Sequence, residues 1–163
     1  MVSRKEQQET LATLGNCNNS FNQQNNRIME GVIEMPINDF QITEHFNLRE
    51  FQCQDETQTV KLDPEIPKKL EILRGLVSEH KRTDTALKIN SGYRTPEYNH
   101  KVGGAEKSQH LKGTAADVRL PAGVDADLMA SFAEKAGFDG VGKYNSFVHC
   151  DVRGYKARWD NRK

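Results

Sequence analysis

The architecture of this chain follows from two segments, Ser108-Gln109-His110-Leu111-Lys112-Gly113-Thr114-Ala115-Ala116-Asp117 and Phe147-Val148-His149-Cys150-Asp151-Val152-Arg153. Two histidines and a carboxylate, namely His110, Asp117 and His149, form a ligand set that holds Zn²⁺ while leaving a fourth position open to water. Four protein ligands would close that position. The residues therefore predict one zinc ion in a catalytic rather than a structural site.

The second segment alternates in the manner of a half-buried strand. A period of two places His149, Asp151 and Arg153 on one face and the apolar residues on the other. We expect the apolar face to pack on the core and the polar face to line a cleft.

The residues around the other two ligands favour their convergence. Gly113 allows a tight reversal after His110, and the small pair Ala115-Ala116 lets Asp117 approach a neighbouring strand closely. Taken singly, each ligand has an ordinary alternative, as an exposed loop histidine, a turn carboxylate or a hydrogen-bonded strand histidine. The combination favours a metal site.

Periodicity predicts two helices. Asp63-Pro64-Glu65 supplies an N-cap, a proline at the first helical position and an acidic first turn, and apolar residues then repeat at helical spacing to near His80. The second helix covers residues 125–136, with Gly137 as a left-handed cap. Strands are predicted at residues 87–90, 115–120, 141–144 and 147–152, with a turn at 91–96. The fold class is therefore α+β, a small, mainly antiparallel sheet with helices packed on one face.

Composition excludes several classes of function. The 163 residues contain 23 basic and 23 acidic side chains, so no overall basic field attracts nucleic acid. No apolar run suits a signal peptide or a membrane-inserted helix, and we expect cytoplasmic synthesis, with access to any substrate outside the cytoplasm through lysis or another protein's pore. A monomer is the simplest expectation. Free thiols are predicted for Cys17, Cys53 and Cys150, and surface positions for His45, His80 and His100.

The first residues have a different composition from the rest of the chain. Residues 1–38 are rich in Asn, Gln and Glu, which predicts a polar arm that is disordered or loosely docked, with a short helix at 4–14 and an extended piece at 28–37. Residues 39–163 are then the catalytic domain.

Between about Phe46 and Trp159 the chain resembles the M15 group of zinc D-Ala-D-Ala peptidases, which also includes phage L-alanyl-D-glutamate endopeptidases. The resemblance is carried by Ser91-Gly92-Tyr93-Arg94-Thr95, by Val102-Gly103-Gly104-Ala105 and by the two opening segments. It implies a fold like that of Hedgehog and the D-Ala-D-Ala peptidases, and the same zinc ligands, His110, Asp117 and His149. It also implies hydrolysis of peptidoglycan stem peptides by a metal-activated water. Carboxypeptidase and endopeptidase activity both remain open, because the loops 95–107 and 121–125 shape the cleft.

The resemblance also implies roles in substrate binding. The guanidinium of Arg94 would hold a substrate carboxylate, with a surface salt bridge as the alternative. Ser108 would meet the substrate backbone, or its hydroxyl would stabilise a turn. Tyr144 could donate to the developing oxyanion, although packing beside a glycine turn is the simpler explanation for this residue.

The general base is an open question. Relatives such as the vancomycin-resistance dipeptidase have a glutamate three residues before the last histidine ligand, where this chain has Ser146. Asp151 is the candidate base, and equally a group that orients His149 or pairs with Arg153. The departure at Ser146 supports one alternative, a zinc-containing module without catalysis. A further alternative is a phage structural module that binds the cell wall without cutting it, with the polar N-terminal arm as its attachment.

Overall fold

A computed structural model of the protein describes residues 28–29, 32–33 and 36–163. The chain divides into two compact units, Met1–Pro36 and Ile37–Lys163. In the first, strands β1 (Ile28–Met29) and β2 (Val32–Ile33) pair in antiparallel fashion. The predicted helix at 4–14, Cys17 and most of the polar arm lie outside the described residues, so the arm stays a prediction.

Both predicted helices are confirmed, although Pro64, predicted as the first helical residue of the first helix, is its N-cap, so Asp63 lies one residue before the cap. Helix α1 spans Glu65–Lys81, and Asp63 Oδ1 accepts a hydrogen bond from the Glu65 amide at its first turn. A short helix α2 covers Pro96–Lys101, and helix α3 covers Ala126–Lys135 with the Asp125 carboxylate as its N-cap. Within the described part of the chain, each helix is too short or too polar to cross a bilayer.

The predicted turn at 91–96 is wrong in part. Ser91 ends a strand, and Pro96 is already the first residue of α2. The Thr95 hydroxyl accepts a hydrogen bond from the Tyr98 amide at 3.2 Å, and proline suits the first helical position. A cap followed by proline was thus present in the sequence, but the apolar periodicity that reveals longer helices is missing from a helix of six residues.

The second unit contains a five-stranded sheet, which confirms the α+β class. Its strands are β3 (Ile89–Ser91), β4 (Ala115–Arg119), β5 (Gly140–Lys143), β6 (Phe147–Asp151) and β7 (Ala157–Asp160), in the order β3-β4-β6-β5-β7. Neighbours are antiparallel except β5 and β7, which are parallel. Strand β7 was not predicted, because it is a short edge strand in which polar residues are frequent.

The two long helices pack on one face of the sheet. Buried residues of α1 and α3, including Leu70 and Met129, form one core cluster with apolar residues of β4, β5 and β6. Cys53 and Cys150 are buried free thiols, as predicted. His45, His80 and His100 are exposed, also as predicted. The opposite face of the sheet carries Asp117 and His149, which the register of β4 and β6 places directly opposite each other.

Candidate metal centre

Three buried side chains converge on the polar face of the sheet. Asp117 lies on β4 and His149 on β6, while His110 comes from the 3-10 turn Gln109–Lys112, which ends at Gly113 with φ 75°. The Nε2 atom of His110 lies 3.1 Å from Asp117 Oδ1 and 3.2 Å from His149 Nδ1, and the last two atoms are 2.9 Å apart. Only 2%, 5% and 8% of the surfaces of His110, Asp117 and His149 are exposed. The three predicted ligands therefore share one small volume.

In each imidazole one ring nitrogen, the inner one, faces the cluster and the other, the outer one, faces away from it. The hydrogen bond of the outer nitrogen determines whether the inner nitrogen can act as a metal ligand. His110 Nδ1 lies 2.6 Å from the Gly92 carbonyl oxygen, and His149 Nε2 lies 3.0 Å from Asp151 Oδ2. Because these partners are acceptors, the outer ring nitrogens donate, and in a neutral imidazole the inner nitrogen then presents a lone pair. Two imidazole lone pairs and a carboxylate oxygen thus face one another, an arrangement that a cation stabilises.

The spacing of the three inner atoms also fits a metal ion. Tetrahedral ligands about 2.0–2.1 Å from zinc lie ~3.3 Å from one another. The observed separations of 2.9–3.2 Å are close to that value. His110, Asp117 and His149 accordingly form a group that could hold a metal ion.

The electrostatics of this cluster favour positive charge at its centre. Burial by itself raises the pKa of Asp117, but hydrogen bonds with His110 and His149 outweigh it and hold the pKa well below its usual value. Burial lowers the pKa of His149, yet its bonds to Asp117 and Asp151 leave that pKa raised. A metal ion would therefore compete with protons for the same ligand atoms.

The segment Ser91–Arg94 supports two of the three ligands. Arg94 Nη2 donates to Asp117 Oδ2 at 2.6 Å, and Arg94 Nε donates to the Ser91 hydroxyl at 2.8 Å. The Gly92 carbonyl orients His110, a role that the sequence did not reveal because it belongs to the backbone. The predicted contact of Arg94 with a substrate carboxylate stays a prediction, and the guanidinium in this structure holds a candidate ligand.

Asp151 is fully buried behind His149. One oxygen accepts from His149, and both oxygens accept from the guanidinium of Arg153, at 2.8 Å from Nε to Oδ1 and 2.5 Å from Nη2 to Oδ2. Burial raises the pKa of Asp151, but the hydrogen bonds with Arg153 and His149 outweigh that effect, so the pKa lies below its usual value. The carboxylate is thus held ionised among fixed donors.

A cleft of about 980 Å³ opens over the three candidate ligands. Ser108 and Tyr144 line this cleft together with Arg94, so the predicted substrate-binding residues lie around one cavity. The Ser108 hydroxyl accepts from the His110 amide at 3.3 Å and so also stabilises the turn. The Tyr144 ring stacks on Phe147 with centroids 4.3 Å apart. Both residues therefore have a structural role, and their predicted roles in substrate binding stay predictions.

Comparison of the chain with models of known protein families identifies its family. The family model for peptidase M15 matches residues 44–151, which include all three candidate ligands. The chain belongs to the peptidase M15 family. It is therefore related to metallopeptidases, and peptide-bond hydrolysis is the chemistry of the family. No curated protein matches the chain.

Removing one candidate ligand tests the centre. We expect His110→Ala or His149→Ala to weaken metal binding by more than ~100-fold, because loss of a ligand exceeds the 10–100-fold effect of losing an outer partner. Metal content after dialysis, with circular dichroism to verify folding, measures this. His100→Ala is the matched control, since His100 is an exposed histidine on α2. Full metal content in folded His149→Ala would exclude His149 as a ligand.

Proposed function

We propose that this protein is a zinc-dependent peptidase that hydrolyses peptide bonds in peptidoglycan stem peptides. The observation that carries the proposal is the buried His110, Asp117 and His149 cluster at the base of a peptide-sized cleft in an M15 chain. When bound, zinc lowers the pKa of a bound water to ~7 and polarises the scissile carbonyl. The chain's own residues then hold the ligands in place and bind the peptide.

The charges of the cleft support an anionic substrate. The whole chain has a formal net charge of zero, whereas the cleft is lined by four cations, Arg94, Lys107, Lys112 and Arg153, and, among the described lining residues, by one carboxylate, Asp117. Stem peptides carry free carboxylates at D-glutamate and at the terminal D-alanine, so their charge complements this lining.

The four cations divide into two kinds. Arg94 and Arg153 are committed to ion pairs with Asp117 and Asp151 at 2.6 and 2.5 Å. Lys107 and Lys112 are exposed at the cleft instead. We therefore assign recognition of substrate carboxylates chiefly to the two lysines.

Asp151 acts in this proposal as an orienting group rather than as the general base. A carboxylate with a lowered pKa, full burial and bonds to both Arg153 and His149 is a poor proton acceptor. Its bond to His149 Nε2 is instead the type of contact that orients a metal-bound histidine.

One observation favours a second candidate function, a zinc-containing module that binds the cell wall without cutting it. Ser146 provides no carboxylate at the position where some relatives have a glutamate, and among the described residues that line the cleft Asp117 is the sole carboxylate. Hydrolysis separates the two candidates.

Digestion of purified peptidoglycan by the zinc-loaded protein tests the proposal directly. We expect fragments whose release stops when a chelator removes the metal, identified by mass spectrometry. Release of D-alanine would establish a carboxypeptidase, and cleavage between L-alanine and D-glutamate an endopeptidase. Binding to several wall types without any cleavage would favour the non-catalytic module, and His149→Ala serves as the inactive control.

Replacing both cleft lysines tests substrate recognition. For Lys107→Ala/Lys112→Ala we expect KM for an anionic stem peptide to rise ~10-fold while kcat stays within about twofold, because the lost attraction is uniform between ground and transition states. The wild-type KM should also increase with ionic strength more than that of the variant. Lys88→Ala, at an exposed lysine that does not line the cleft, should change neither constant. An unchanged KM in the double variant would remove the lysines from recognition.

Asp151→Asn separates orientation from base catalysis. We expect metal affinity to fall about 10–100-fold, since the amide replaces a charged acceptor for His149. A general base would give the opposite pattern, with unchanged metal affinity and kcat reduced by about 100-fold or more. Chelator competition measures affinity and saturating metal allows kcat to be compared. Asp127→Asn, at an exposed surface carboxylate, is the control.

A further inference from the structure

Strand β7 lies beyond the region matched by the family model, which ends at residue 151. Its parallel register with β5 puts Trp159 beside Gly142, and Gly142 is in turn the register partner of His149 on β6. A Cβ at Gly142 would overlap the indole of Trp159. Because glycine leaves this space open, the indole reaches across β5 to the imidazole of His149, with ring centroids 5.2 Å apart and planes inclined by 47°.

The indole is itself held in place by several contacts. Trp159 Nε1 donates to the Tyr144 hydroxyl at 3.2 Å, and the guanidinium of Arg153 lies 5.1 Å from the indole centroid. Arg153 is in turn fixed by both oxygens of Asp151. These contacts hold the indole against the side of the His149 imidazole that faces away from Asp117.

The two residues on either side of Trp159 form ion pairs that attach strand β7 to its neighbours. Arg158 pairs with Glu134 of α3 at 3.0 Å, and Asp160 pairs with Lys143 of β5 at 3.1 Å. Exposed ion pairs contribute little individually, but the backbone pairing of β5 with β7 adds to them. The position of Trp159 is thus set by the sheet and by contacts on both of its neighbours.

We propose that Trp159 is a positioning residue that fixes the plane of the His149 imidazole, so that Nδ1 points at Asp117 and His110. The bond from Nε2 to Asp151 restrains one point of the ring, and a ring restrained at one point can still tilt. Contact with the indole removes that freedom. This inference rests on the proposed function in so far as His149 binds the metal.

The main experiment compares metal binding by three variants with that of the wild type. Co²⁺ replaces zinc, its visible absorption reports ligand geometry, and chelator competition gives the dissociation constant. Trp159→Ala should bind Co²⁺ about 10–100-fold more weakly, with an altered spectrum and a normal far-UV circular dichroism spectrum. Trp159→Phe, which restores an aromatic wall, should recover most of the affinity. Tyr155→Ala should match the wild type, because Tyr155 is 64% exposed and contacts Arg153 from the same segment.

Kinetics of the metal-saturated proteins add a second readout. A positioning role lowers kcat for Trp159→Ala and leaves KM nearly unchanged, whereas a substrate-stacking role raises KM and leaves Co²⁺ affinity and spectrum at wild-type values. The second pattern would overturn the inference. If Trp159→Ala fails to fold, two other variants replace it with the same expectation. One is Trp159→Leu, and the other is Gly142→Ala, which displaces the indole without removing it.

Failure of this inference differs from failure of the proposed function. Wild-type protein that binds no Co²⁺ would overturn both. Wild-type protein that binds Co²⁺ and cuts stem peptides, together with folded Trp159 variants of unchanged affinity and spectrum, would overturn the positioning role alone.

Discussion

The antiparallel register between β4 and β6 is the constraint on which the rest of the molecule depends. It pairs Ala116 with Cys150 and Val118 with Val148 on the core face, and Asp117 with His149 on the other face. A slip of β6 by one residue would exchange the two faces of that strand, burying His149 and Asp151 in the apolar core. The packing of α1 and α3 on this sheet therefore also specifies where two of the three candidate ligands lie.

Burying so many polar groups requires that each be compensated. Asp117 is paired with Arg94 and Asp151 with Arg153, and the side chains of all four residues are largely withdrawn from water. Breaking one member of such a pair leaves an uncompensated buried charge, which is strongly destabilising. Since the two pairs are formally neutral, the charge of a bound metal ion is left largely uncompensated by them. In the proposed function, that excess positive charge and the exposed lysines would act together on an anionic peptide.

Local signals explain what the sequence could predict. The caps and periodicity of α1 and α3 belong to contiguous residues, and the alternation in β6 assigns His149 to the polar face without reference to any other strand. The positive φ of Gly113 after His110 is likewise a local requirement. What could not be predicted depends on partners remote in sequence. The Gly92 carbonyl meets His110 through backbone geometry, and Trp159 reaches His149 only because Gly142 lies between them in the sheet.

Alternation predicts the face on which a side chain lies but not its depth, and Asp151 illustrates the difference. His149 and Asp151 share the polar face, yet His149 belongs to the row Asp117–His149–Gly142–Trp159. The three side chains of that row, those of Asp117, His149 and Trp159, line the cleft. Asp151 belongs to the adjacent row Ala115–Asp151–Gly140–Ala157, where a Cβ at Gly140 would overlap its carboxylate. Each glycine of β5 thus makes room for one neighbour, the carboxylate at 140 and the indole at 142. The two side chains that flank His149 occupy those spaces, so the glycine spacing in β5 is part of how the imidazole is held.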